Sequence, residues 1–165
     1  PMKQFLIFGS LLFVLTSTMK PDPETPLNQL IDDWHIAAAQ GDFEGYFGAT
    51  TDNFVFLGTA PDERWNREEF ESFCKPYFDR GGAWDFKPSN RKWNFSKNGK
   101  TAWFDEDLDT WMRGCRGTGV VQKVKGEWQI VYYNLHVLIE NEKVQSFIEL
   151  RDAPMLPIEE DAEPK

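Results

Sequence analysis

Proton-transfer chemistry has few places to sit in this chain. Its two histidines are His35 and His136, and imidazole is the side chain whose ordinary titration lies nearest neutral pH. Carboxylates are plentiful, but one is singled out by its place in a hairpin. If Asn98-Gly99 is a two-residue turn, Phe95 opposes Ala102, Trp93 opposes Phe104 and Arg91 opposes Glu106 on one face. The other face pairs Asn94 with Trp103, Lys92 with Asp105 and Asn90 with Asp107. The first face is apolar apart from its charge pair, so it is the inner one and Arg91 and Glu106 point inward. Such a pair either pins two strands as a plain buried ion pair or lines a cavity that hydrates or ligates it. As chemistry, Glu106 is a general base for an isomerase, cyclase or dehydratase reaction, with His136 or His35 as the acid. Arg91 weighs against that role, because a neighbouring guanidinium keeps a carboxylate ionised and weakly basic.

The last strand supplies a second set. Trp128, Ile130, Tyr132, Asn134 and His136 alternate onto one side, graded from apolar to polar as a pocket wall would be, while Val131, Tyr133, Leu135 and Val137 share the other. The expected pocket residues are therefore Trp34, Arg91, Trp93, Phe104, Glu106, Arg116, Tyr132, Asn134 and His136. The wholly apolar side needs a helix or a second subunit to cover it, and a homodimer through the sheet is the expected answer.

Cys74 and Cys115 form no CxxC, and separation in sequence leaves open whether they pair in an oxidising compartment. No His or Cys spacing resembles a zinc motif, so neither metal nor cofactor is expected.

These residues need elements to hold them. Leu27, Leu30, Ile31, Trp34 and Ala38 recur with helical spacing over residues 27–39, with His35 at the edge of the stripe. Gly41 ends that helix and Asp42 caps a short one through Phe43 and Tyr46-Phe47. A strand at 53–57 and a loop at 58–65 lead to a helix over 66–79 capped by Asn66. After Gly81-Gly82 the pattern is strand-like at 83–95, 101–112, 116–124 and 128–139, with turns at Asn98-Gly99 and Lys125-Gly126. Helices first and an antiparallel sheet second predict an α+β fold, with helices on one face of a curved sheet.

At 165 residues, with 41% hydrophobic and 15% aromatic content, the chain can bury one sizeable core. A formal charge of -9 disfavours polyanions, so nucleic acid is not an expected partner. Met2-Lys3-Gln4, the apolar run 5–15 and Thr16-Ser17-Thr18 have the form of an export signal over residues 1–18. An exported protein, periplasmic or secreted, with no stable membrane span once the signal is removed, is the expectation; an uncleaved anchor or a buried helix is the alternative. Residues 19–26 read as a Pro-rich tether, 27–150 as the folded domain, and 151–165 as an acidic tail too polar to order itself.

Five blocks carry a resemblance. Asp33-Trp34-His35-Ile36-Ala37-Ala38-Ala39 with Asp42-Phe43 and Tyr46-Phe47 is followed by Phe56-Leu57-Gly58-Thr59-Ala60-Pro61-Asp62-Glu63-Arg64-Trp65. Then come Ala102-Trp103-Phe104-Asp105-Glu106-Asp107-Leu108, Arg116-Gly117-Thr118-Gly119-Val120-Val121 and Trp128-Gln129-Ile130-Val131-Tyr132-Tyr133-Asn134-Leu135. In this order they resemble the SnoaL-like branch of the nuclear transport factor two superfamily, over nearly all of residues 27–141. The resemblance implies a cone of about three N-terminal helices against a strongly curved antiparallel sheet, an internal pocket, and frequent dimerisation through the sheet. It implies little about chemistry, since the superfamily holds ketosteroid isomerases, scytalone dehydratase, polyketide cyclases, kinase association domains and transport adaptors. Where the family's last strand tends to end in Asn-Leu-Ser, followed later by Pro-Asn, this chain has Asn134-Leu135-His136 and Glu140-Asn141. Three functions follow as expectations: a pocket for a small organic molecule, an enzyme using an inward carboxylate and a histidine, or a dimeric interaction module.

Overall fold

The computed structural model describes residues 22–154. The signal-like segment 1–18, most of the tether and the end of the tail lie outside them. Helix α1 (Thr25–Gln40) starts inside the Pro-rich stretch, where Pro26 sits in the first turn, a position at which its missing N–H costs nothing. Gly41 ends it at φ 69°, a left-handed conformation that suits glycine. Asp42 then caps α2 (Phe43–Gly48) by accepting the Gly45 N–H at 2.9 Å.

Strand β1 (Thr50–Leu57) and the short β2 (Arg64–Asn66) form a hairpin, and α3 (Arg67–Phe78) follows directly. Asn66 and Glu69 close a reciprocal capping box at the start of α3. The remaining strands are β3 (Lys87–Phe95), β4 (Thr101–Thr110), β5 (Arg113–Val124) and β6 (Glu127–Val137). They form one six-stranded sheet in the order β2-β1-β6-β5-β4-β3. The architecture is α+β: α1 and α2 come first, α3 follows the β1–β2 hairpin, and the three pack with a curved, unclosed sheet, as the helix and strand periodicities predict.

Two features depart from expectation. The sheet is not wholly antiparallel, because β1 runs parallel to β6, with Phe56 opposite Tyr133. The two strands are distant in sequence, so short connections do not forbid the pairing. A helix also follows the sheet: a short 3-10 turn (Asn141–Lys143) leads into α4 (Val144–Asp152), which ends within the stretch read as tail. Its apolar residues Val144, Phe147 and Ile148 remain partly exposed, so its amphipathic spacing makes no large burial.

The core lies between α1 and the concave sheet face and is largely aromatic. Trp34 stacks on Tyr46 with centroids 4.6 Å apart and meets Tyr133 edge-on at 4.8 Å, while Phe56 stacks on Phe70 at 4.1 Å. Cys74 and Cys115 are both buried and free. Among the described residues no helix is long and apolar enough to cross a membrane.

Candidate functional site

The first hairpin has the register expected from Asn98-Gly99: Phe95 faces Ala102, Trp93 faces Phe104 and Lys92 faces Asp105. Beyond Lys92 the ladder shifts, and Asn90, at φ 52°, is the extra residue of a bulge opposite Glu106. The bulge bends β3 so that Arg91 reaches inward while Asn90 turns out to donate to Asp107 at 3.1 Å.

Glu106 is fully buried, and four donors converge on its two oxygens. Tyr133 donates its hydroxyl to Oε1 at 2.8 Å, and His35 Nε2 lies 2.8 Å from the same oxygen. Arg91 grips Oε2 with Nε at 2.8 Å and Nη2 at 2.7 Å. The rest of the guanidinium serves α1, with Nη2 on Asp32 Oδ1 at 2.8 Å and Nη1 on the Asn28 carbonyl and Oδ1, each at 3.2 Å. Trp93 Nε1 also donates to Asn28 Oδ1 at 2.8 Å. One buried carboxylate thus ties α1, β3, β4 and β6 together.

Burial alone would raise the Glu106 carboxyl, but the His35 hydrogen bond and charge, followed by those of Arg91, more than offset it and hold the group below its ordinary value. Burial and the adjacent Glu106 charge push the Tyr133 hydroxyl well above the ordinary tyrosine range, so it stays a donor. The arrangement is suited to holding charge in place. It leaves no Glu106 oxygen without a donor.

The structure brings together six of the sequence-predicted site residues: Trp34, His35, Arg91, Trp93, Phe104 and Glu106. It places the other four, Arg116, Tyr132, Asn134 and His136, on the outer sheet face. Arg116 lies opposite His136 and pairs with Asp107 at 3.2 Å, on the surface. The cause in β6 is a second bulge: Ile130 faces Val121 and Tyr132 faces Val120, which leaves Val131 as an extra residue. One inserted residue inverts the alternation from there on, so Tyr133 and Leu135 are buried and Tyr132, Asn134 and His136 are not. The apolar strip assigned to a dimer contact therefore does not exist as drawn.

Sequence reading missed Tyr133 for the same reason. It also missed Asn28 and Asp32, although a signal was present. Asn28, Asp32 and His35 recur at helical spacing beside the apolar stripe of α1, which marks a polar row facing something charged.

Residues of β1, β2, α3, β6, the approach to β3 and the β4–β5 turn enclose a cavity of about 150 Å³ with a nearly all-apolar lining that includes Phe56, Trp65, Phe70, Trp84, Trp111 and Leu135. Phe56 stacks at 5.9 Å on Tyr133, so this cavity abuts the Glu106 cluster through one aromatic layer.

Residues 27–140 match the model of the SnoaL-like domain. The chain belongs to the SnoaL-like family. Solved structures share the fold of this SnoaL-like chain. A nuclear-transport-factor-two-like protein of unknown function from Pseudomonas putida is 16% identical, with 73% of this chain and 89% of that one covered and a TM-score of 0.60. A cystatin-like domain of unknown function from Nostoc punctiforme is 16% identical over 80% of this chain and 87% of that one, with a TM-score of 0.61. A protein provisionally assigned as a scytalone dehydratase, from Novosphingobium aromaticivorans, is 13% identical over 69% and 83%, with a TM-score of 0.58. No curated protein is significantly similar to the chain. At these identities the likeness is one of fold.

Proposed function

We propose that this SnoaL-like protein binds a small, largely apolar ring compound in its apolar cavity, without using Glu106 as a catalytic base. The observation that carries this is the apolar cavity walled by Phe56, Trp65, Phe70, Trp84, Trp111 and Leu135. At about 150 Å³ it suits one ring rather than a drug-sized ligand. Aromatic walls of this kind give offset-stacked and edge-on contacts to a ring.

The dehydratase- or isomerase-type alternative needs a carboxylate free to take a proton, with its affinity for that proton raised. Glu106 has the opposite environment, with donors on both oxygens and its pKa lowered. Export of the chain and self-association through the outer sheet face stand beside this reading as proposals.

A thermal-shift series with benzene-sized neutral aromatics tests it. The melting temperature should rise with concentration, because a ligand that binds only the folded state stabilises it by mass action. Trp111→Ala removes one wall of the cavity, and the residue is 76% exposed, so the fold should survive the change. That variant should lose most of the shift. Absence of any shift in the wild type, or an undiminished one in Trp111→Ala, overturns the reading.

A further inference from the structure

Phe73, Tyr77 and Arg80 follow one face of α3 and of the turn that ends it, and the Arg80 N–H closes that turn on the Tyr77 carbonyl at 3.2 Å. Gly81 comes next at φ 94°, a conformation that suits glycine. The Ala83 N–H then anchors the chain to the end of α1, on the Ala38 carbonyl at 2.9 Å. From there Trp84 returns to α3, with its ring 6.3 Å from Phe70 and 5.9 Å from Phe78. Together with Phe86 and with Trp111 of the β4–β5 turn, these residues enclose a groove of about 380 Å³. Its walls are aromatic, and Arg80 is the one charged residue among them.

Two properties of the groove define its occupant. Its aromatic surface stands in water, since Trp111 is 76% exposed and Phe73 37%. Aromatic surface left bare in a concave wall is the mark of a ligand site. The second property is the placement of a permanent charge. The Arg80 guanidinium carbon lies 4.9 Å from the centroid of the Tyr77 ring, itself a wall of the groove. That contact holds the charge beside the groove through a ring face and leaves the N–H donors free. The neighbouring acids are taken, Asp79 by Lys75 and Asp85 by Lys87, and among the described residues no carboxylate pairs with Arg80. A guanidinium keeps its proton throughout the pH range of folded proteins, so the sign of the site depends on no titration.

We propose that this groove binds an aromatic carboxylate, its ring against Tyr77, Trp84 and Trp111 and its carboxylate gripped by two N–H groups of Arg80. A space of about 380 Å³ takes one ring with a short acid side chain. Phe73, Trp84, Phe86 and Trp111 also line the smaller apolar cavity, so the two spaces adjoin. Tyr77 and Arg80 line the groove alone, so this inference stands or falls separately from the neutral-ring reading.

The test uses the full chain, isotopically labelled at nitrogen, with the indole N–H signals of Trp84 and Trp111 assigned from the Trp84→Phe and Trp111→Phe variants. Phenylacetate, phenylacetamide and phenethylamine at neutral pH are matched probes of the three charge types. Phenylacetate should move both signals to saturation, phenylacetamide should bind about fivefold more weakly, as an ion pair at the protein surface allows, and phenethylamine should not bind. Arg80→Met keeps an unbranched stem and removes the charge, and because Arg80 is exposed the fold should survive it. That variant should bring phenylacetate down to the affinity of the amide and leave the amide as it was. Tyr77→Ala should weaken both of these ring probes. The inference is overturned if phenylacetate fails to saturate the two signals, if phenethylamine binds as well as phenylacetate, or if Arg80→Met leaves the preference for phenylacetate over phenylacetamide unchanged.

Discussion

Tyr133 OH and His35 Nε2 meet the same oxygen of Glu106, each at 2.8 Å, one from the last strand and the other from the first helix. With Arg91 on the second oxygen, this makes a buried four-residue junction in which each partner's position depends on the others.

Glu106→Ala should cost about 3–5 kcal/mol, because it leaves Arg91, whose side chain is 8% exposed, with only the half-exposed Asp32 as a counter-charge and takes the acceptor from Tyr133 and His35. Tyr133→Phe removes one hydrogen bond to an ionised acceptor and should cost about 1.5–3 kcal/mol. Chemical denaturation of both variants measures this. A loss below about 0.5 kcal/mol for Glu106→Ala would mean that the junction does not hold the fold.

The Glu106 carboxyl is lowered in the folded protein, so in acid the unfolded chain binds the extra proton. The stability this group contributes is complete above the ordinary carboxylate value of about 4 and is lost as pH falls through the lower, folded value. Glu106→Gln should therefore flatten the acid limb of stability against pH relative to wild type. An unchanged slope would place the acid sensitivity elsewhere.

Gly117 and Gly119 make room for the junction and for its aromatic floor. A Cβ on Gly117 would lie 2.0 Å from the Tyr133 hydroxyl oxygen, and one on Gly119 would lie 2.4 Å from a Phe104 ring carbon. Gly117→Ala should cost about 1–3 kcal/mol by displacing Tyr133 from Glu106, whereas Gly114→Ala, with open space around its Cβ, should cost far less. Equal melting temperatures for the two variants would contradict the placement of Tyr133.

The two histidines should separate in a stability measurement. His136→Ala on the exposed outer face should stay within about 0.5 kcal/mol of wild type, while His35→Ala should cost about 2 kcal/mol or more through a cavity and the loss of one of the two groups on Glu106 Oε1. The reverse order would restore the face assignment made from strict alternation.

Self-association through the outer sheet face would centre on Trp103, which is 45% exposed there. Trp103→Glu should then convert a dimer to a monomer in light scattering at micromolar concentration. A monomeric wild type, or a dimer indifferent to the change, removes that face from consideration.

What the sequence determined by itself is local in origin. The α1 stripe, the Gly41 stop, the Asp42 and Asn66 caps and the Asn98-Gly99 turn each depend on residues within a few positions of one another. From that turn, counting in twos carried the register as far as Lys92, and the inward pairing of Arg91 with Glu106 followed. The family could be recognised from the same blocks. Tertiary structure decided the rest, and it did so mainly at two bulges. The one at Asn90 shifted the ladder beyond Arg91, so that Ser89 rather than Asn90 faces Asp107, and the one at Val131 exchanged the faces of β6, replacing Tyr132, Asn134 and His136 with Tyr133 and Leu135. A bulge forms because a curved sheet must bend to meet α1, and that requirement comes from the packed whole rather than from residues near Val131. The parallel pairing of β1 with β6 and the meeting of His35 with Glu106, 71 residues later in the chain, likewise depend on contacts that no local spacing encodes.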